Sequence, residues 1–82
     1  MHYEFKPIGV CSKKYMFELE DERIVKAEII GGCNGNLQGI CRLIEGDSIV
    51  NVINKLQGIR CGFKNTSCPD QIAKALSAFL ES

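Results

Sequence analysis

Over residues 13–30 apolar and polar side chains trade places at nearly every step. Tyr15, Phe17 and Leu19 alternate with Met16, Glu18 and Glu20, and Val25, Ala27 and Ile29 alternate with Lys26 and Glu28. A period of two with β-branched and aromatic content predicts two strands with an apolar face, turning at Glu20-Asp21-Glu22-Arg23. Residues 2–8 predict a third strand, weakened by Pro7, which has no backbone donor.

After Gly31-Gly32-Cys33-Asn34-Gly35 the period changes. Leu37, Ile40, Cys41 and Ile44 fall at i, i+3, i+4 and i+7, one stripe of a helix. Gly46 suits its C-terminal end, and Asp47 or Ser48 suits the cap of the next helix. Ile49, Val52, Ile53 and Leu56 repeat the spacing up to Gly58. A last helix is predicted from Cys68-Pro69-Asp70, with Pro at its first position, Asp in its first turn, and a buried stripe of Ile72, Leu76, Phe79 and Leu80. The order β-β-β-α-α-α predicts an α+β fold, a three-stranded antiparallel sheet with three helices on one face.

Composition narrows the function. The 82 residues make one domain, 1–82, small enough that a bound metal or a dimer partner would help it. Ten basic and ten acidic residues leave a formal net charge of zero, which argues against nucleic acid as a ligand. The longest basic run, Lys13–Lys14, reads as a solvated strand end. No apolar stretch approaches the ~20 residues of a membrane span, and residues 1–7 pattern as a strand rather than a signal segment. The expected location is therefore the cytoplasm. The single histidine, His2, is expected to be mobile and solvated.

The five cysteines are the chemistry the chain offers. An odd number fits a disulfide framework poorly, and in a reducing compartment such residues serve as metal ligands, redox thiols or core. Cys41 lies on an apolar helical stripe and reads as core. Cys11 precedes the hairpin, Cys33 sits in the glycine-rich turn before a helix, Cys61 lies in a loop, and Cys68 opens the last helix. A helix N-terminus favours thiolate, the form that binds metal or attacks a disulfide. Their separations include no C-x-x-C pair, so a site built from them has to be assembled by the fold. The glycine-rich turn is no P-loop, because no Lys-Ser/Thr follows. With one histidine near the terminus, no Cys–His or Ser–His pair supports nucleophilic catalysis.

Thr66-Ser67-Cys68-Pro69-Asp70 spells T-S-C-P-D, and the chain resembles the TSCPD domain family over nearly its whole length. Leu56-Gln57-Gly58-Ile59-Arg60-Cys61 and the run from Ser67-Cys68-Pro69-Asp70 to Ala75-Leu76 look like the C-terminal appendage of cobalamin-dependent ribonucleotide reductases. Cys11 and Gly32-Cys33 also match positions of that appendage, whereas Cys41 has no counterpart. The resemblance implies an accessory to ribonucleoside-diphosphate reductase and DNA-precursor synthesis. The chain has neither the catalytic barrel nor a cobalamin site, so it is not expected to be catalytic alone.

The order of elements is more loosely similar to the NifU-like iron–sulfur cluster assembly scaffold. That family places cysteines where Cys11, Cys33 and Cys68 stand. Its Asp after the first Cys and its His before the last are absent here, where Ser12-Lys13 and Ser67 stand instead. The resulting expectation is that Cys11, Cys33, Cys61 and Cys68 bind zinc or an iron–sulfur cluster. Two alternatives stand beside it: a thiol relay, with Cys61 and Cys68 as its pair, serving a ribonucleotide reductase, and an interaction domain whose cysteines only pack. A homodimer is compatible with all three.

Overall fold

The computed structural model describes residues 1–10, 12–31, 34–60 and 62–81, with the side chain of Asn34 left out. Three strands, β1 (His2–Phe5), β2 (Ser12–Glu20) and β3 (Arg23–Gly31), precede three helices, α1 (Asn34–Ile44), α2 (Ile49–Leu56) and α3 (Cys68–Glu81). The strands form an antiparallel sheet in the order β1-β2-β3. This is the predicted α+β order, with β1 ending two residues before Pro7.

Register follows from the apolar pattern. Tyr3 pairs with Phe17 and Phe5 with Tyr15, while Tyr15 pairs with Ile29, Phe17 with Ala27 and Leu19 with Ile24. These residues share the face that packs on the helices. Tyr15, Phe17, Leu19, Ile24 and Ala27 join Cys41 and Ile44 of α1, Ile49 and Val52 of α2, and Ile72, Ala75 and Leu76 of α3 in one core. The opposite face carries charge. Lys14 pairs with Glu4 at 2.7 Å, and His2 bridges Glu4 and Glu18 at 2.8 and 2.6 Å. His2 is therefore a member of β1, solvated as expected but with two carboxylate partners. Its imidazole is held above its ordinary pKa by hydrogen bonds to Glu4 and then Glu18.

Two apolar positions depart from the simple period. The β2–β3 register shifts between Glu18 and Leu19, so that β3 carries one extra residue there. The bulge turns Ile24 into the core and leaves Val25 54% exposed, apart from Ala27 and Ile29. In α3, Leu80 is exposed, whereas Ala73 and Ala75 are buried beside Ile72 and Leu76. Phe79 packs edge-on against Tyr3 at a centroid separation of 5.2 Å.

The hairpin turn places both Asp21 and Glu22 at positive φ, 51° and 64°, as a two-residue turn with the twist of the flanking strands requires. The start of β3 is closed by the α1–α2 turn. Ile24 donates to the Asp47 carbonyl at 3.0 Å and accepts from Gly46 N–H at 2.6 Å. The Glu45 carboxylate takes the Ala27 N–H at 3.0 Å. Edge strands left open invite pairing with other chains, and this end of β3 is covered. Ser48 is the cap of α2, its Oγ accepting from Asn51 N–H at 3.0 Å.

Candidate functional site

The T-S-C-P-D run forms the entry to α3, and nearly every side chain in it has a specific partner. Ser67 is the N-cap: its Oγ accepts the Asp70 N–H at 3.2 Å and donates to the Ile59 carbonyl at 2.6 Å. Cys68 and Pro69 then occupy the first two helical positions. Pro69 thus stands second rather than first, still where a missing N–H leaves no bond unmade. Asp70 is 4% exposed. Its carboxylate accepts from Thr66 Oγ1 at 2.5 Å and from Gly58 N–H at 2.7 Å, with Lys74 Nζ at 3.5 Å. The Thr66 hydroxyl above all, then the Gly58 N–H and the Lys74 charge, hold this carboxyl below the usual range despite burial.

The next residue extends the network to the other side. Gln71, also buried, donates to Thr66 Oγ1 at 3.0 Å and accepts the Ile8 N–H at 3.2 Å. Gly9, at φ 76°, lies where an added Cβ would meet the Thr66 methyl at 3.4 Å. The segment between β1 and β2 and the loop before α3 are therefore bound to each other at this end.

Cys68 itself is half-buried. Its Sγ lies 2.9 Å from Ser12 Oγ, which lies 3.1 Å from the hydroxyl of Tyr15. That hydroxyl donates to the Cys68 carbonyl at 3.0 Å. Ser12 and Tyr15 are 5% and 0% exposed. Burial foremost pushes the Tyr15 hydroxyl well above its ordinary pKa, so it stays protonated.

Of the sequence-predicted ligands, Cys68 stands at the helix entry as expected. Cys11, Cys33 and Cys61 lie outside the described residues. Among the described residues no group of three or more His, Cys, Asp or Glu side chains is placed to hold a metal ion. Cys41 is buried in the core, its thiol pushed up to about 11 by burial and then by Glu45 and Glu28. It borders an open cleft of about 490 Å³ between α1 and β3, with Glu28, Gln38, Arg42 and Glu45, which shares no residue with the Cys68 end.

The family model for the TSCPD domain matches residues 1–80. The chain belongs to the TSCPD domain family. No curated protein and no solved structure matches it. Among the described residues of this TSCPD domain, no helix is long and apolar enough to cross a membrane.

Sequence reasoning missed the partners of the motif. Ser67 and Asp70 carry a readable signal, an N-cap residue followed three positions later by an acidic one. The acidic side chain here reaches Gly58 instead of turning back on the cap. Ser12 and Tyr15 of the TSCPD domain carry no comparable signal, being 56 and 53 residues from Cys68 in the chain.

Proposed function

We propose that this TSCPD domain is a metal-binding accessory module, in which Cys11, Cys33, Cys61 and Cys68 hold one zinc ion or an iron–sulfur cluster. The observation that carries the reading is the contact of Ser12 Oγ with Cys68 Sγ at 2.9 Å. Ser12 follows Cys11 in the chain and pairs in the sheet with Gly31, two residues before Cys33. Ile59, two residues before Cys61, is bonded to Ser67, which precedes Cys68. In sequence, Cys11, Cys33 and Cys61 are thus within two positions of Ser12, which contacts Cys68, of Gly31, the strand partner of Ser12, and of Ile59, which is bonded to the neighbour of Cys68.

The donor set fits the ion. Four thiolates are soft ligands suited to zinc or to iron–sulfur clusters. The described surroundings of Cys68 supply hydroxyls, and the Asp70 carboxylate is already engaged by Thr66 and Gly58. Zinc would supply structural cross-linking, and a cluster would supply one-electron chemistry. The resemblance to the reductase appendage supports an accessory role beside a ribonucleotide reductase in the cytoplasm.

Elemental analysis of protein purified anaerobically without a histidine tag tests this. The expected result is one zinc, or stoichiometric iron and sulfide, per chain, lost in Cys33→Ser or Cys68→Ser. Folded protein that is metal-free and resists reconstitution would overturn the reading.

A further inference from the structure

Phe63 stands fully exposed, the largest apolar side chain left in water among the described residues. Arg60 and Lys64 flank it in the loop before α3, both exposed and neither in an ion pair among the described residues. Residues 57–69 contain no Asp or Glu. The loop therefore presents an aromatic ring between two cations that no neighbouring carboxylate neutralises.

The opposite end of the molecule carries the complement. β2 and α3 both start at the Cys68 end and finish beside the hairpin turn, where an open hollow of about 260 Å³ lies. Ile49, Phe79 and Leu80 give it apolar walls, and the exposed Glu20, Asp21 and Glu22 add three carboxylates. Among its lining residues the one cation is the Met1 amine, which is engaged by the Leu19 carbonyl at 2.7 Å. A chain cannot fill its own hollow with its own ring. The bonds from Ser67 to Ile59 and from Gly58 to Asp70 hold the loop at the start of α3, and that helix, 14 residues and about 21 Å long, separates loop from hollow.

We propose that this domain self-associates head to tail, with Phe63 of one copy seated in the hollow beside Leu80 of the next, and with Arg60 and Lys64 facing Glu20, Asp21 and Glu22. An aromatic side chain entering an apolar pocket is the usual centre of a protein interface, and opposite charges around it fix its orientation. The two surfaces differ, so the contact is heterologous. Each copy keeps a free loop at one end or a free hollow at the other, and assembly continues past two. The contact is small, so association is expected at roughly 100 µM and above. The proposal goes beyond the metal reading and does not rest on it.

Sedimentation velocity on the untagged full chain, from roughly 10 µM to 1 mM in low salt, tests it. The mean mass is expected to rise with concentration beyond that of a dimer, and to fall back towards the monomer in roughly 0.5 M salt. Phe63→Ala and Leu80→Lys are each expected to weaken association at least about tenfold. Both positions are exposed, so the fold is expected to persist, and urea unfolding checks it. Mixing the two variants is expected to restore the parent affinity. The intact loop of Leu80→Lys enters the intact hollow of Phe63→Ala, and a one-to-one heterodimer forms that grows no further. Three results would each overturn the proposal: a monomer throughout the range, association that neither variant changes, or a mixture that associates no better than either variant alone, as a two-fold dimer would. Neither variant changes a cysteine, so metal-free protein would sink the metal reading and leave this result standing.

Discussion

The carboxylate of Asp70 accepts the backbone N–H of Gly58 at 2.7 Å, and so joins the first turn of α3 to the residue that follows α2 by two positions. Hydrogen bonds to a charged, buried acceptor are among the stronger ones, and removing the acceptor leaves its donors unpaired. Asp70→Ala is expected to lower stability by about 2–3 kcal/mol. Urea unfolding of the variant beside the parent measures it.

The same carboxylate gives the fold a pH dependence of defined sign. The Thr66 hydroxyl foremost, then Gly58 and Lys74, depress its folded pKa below 3.8. A depressed acid stabilises above its unfolded pKa and loses that contribution as pH falls through the folded value. Stability is expected to fall as the medium is acidified below about pH 4. The part of the loss that disappears in Asp70→Asn is the share due to this residue.

His2 works in the opposite direction. Glu4 and then Glu18 raise its pKa above 6.5, so its contribution is fully present below that value and is lost as pH rises through the raised one. An NMR titration is expected to place the imidazole above 6.5, and Glu18→Gln to bring it down.

Asp21 and Glu22 hold left-handed backbone without being glycine. That conformation costs non-glycine residues about 1–2 kcal/mol each, less for Asp or Asn. Replacing Asp21-Glu22 by Asn-Gly is expected to stabilise the domain by about 1 kcal/mol. The urea midpoint should rise with an unchanged slope. The bond from Ile49 N–H to the Glu22 carbonyl involves backbone alone and is retained.

Cys41 and Cys68 should behave as different kinds of thiol. Burial beside Glu45 and Glu28 pushes Cys41 up to about 11. In chelator-treated native protein at pH 8, alkylation is expected at Cys68 and not at Cys41, and unfolding should expose both. Cys41→Ser is expected to cost about 1–3 kcal/mol of stability by placing a hydroxyl in the core, and to leave metal content unchanged.

The strands, helices and most of the core follow from local periodicity, because side-chain direction repeats every two residues in a strand and every 3.6 in a helix. Val25 escapes this rule because a bulge changes the phase of β3, and no residue type in the sequence marks where the extra residue falls. The buried alanines of α3 escape a reading that counts large apolar residues, and Leu80 stands 45% exposed next to the last residue of the helix. The chemistry around Cys68 was legible only on its own side of the chain. Its helix-entry position could be read from Ser67, Pro69 and Asp70, whereas Ser12 and Tyr15 come to it through tertiary folding alone.

Tyr15 and the carbonyl it bonds are separated by 53 residues. At ribosomal rates of 5–20 residues per second, the chain between them takes roughly 3 to 11 s to synthesise. During that interval the apolar face of the hairpin is not yet covered by α3, and the Tyr15 hydroxyl, already in reach of Ser12, has yet to meet the Cys68 carbonyl. The helix that Cys68 opens also carries Ile72, Ala75 and Leu76, so the last part of the chain to be made completes the cover of the sheet that was made first.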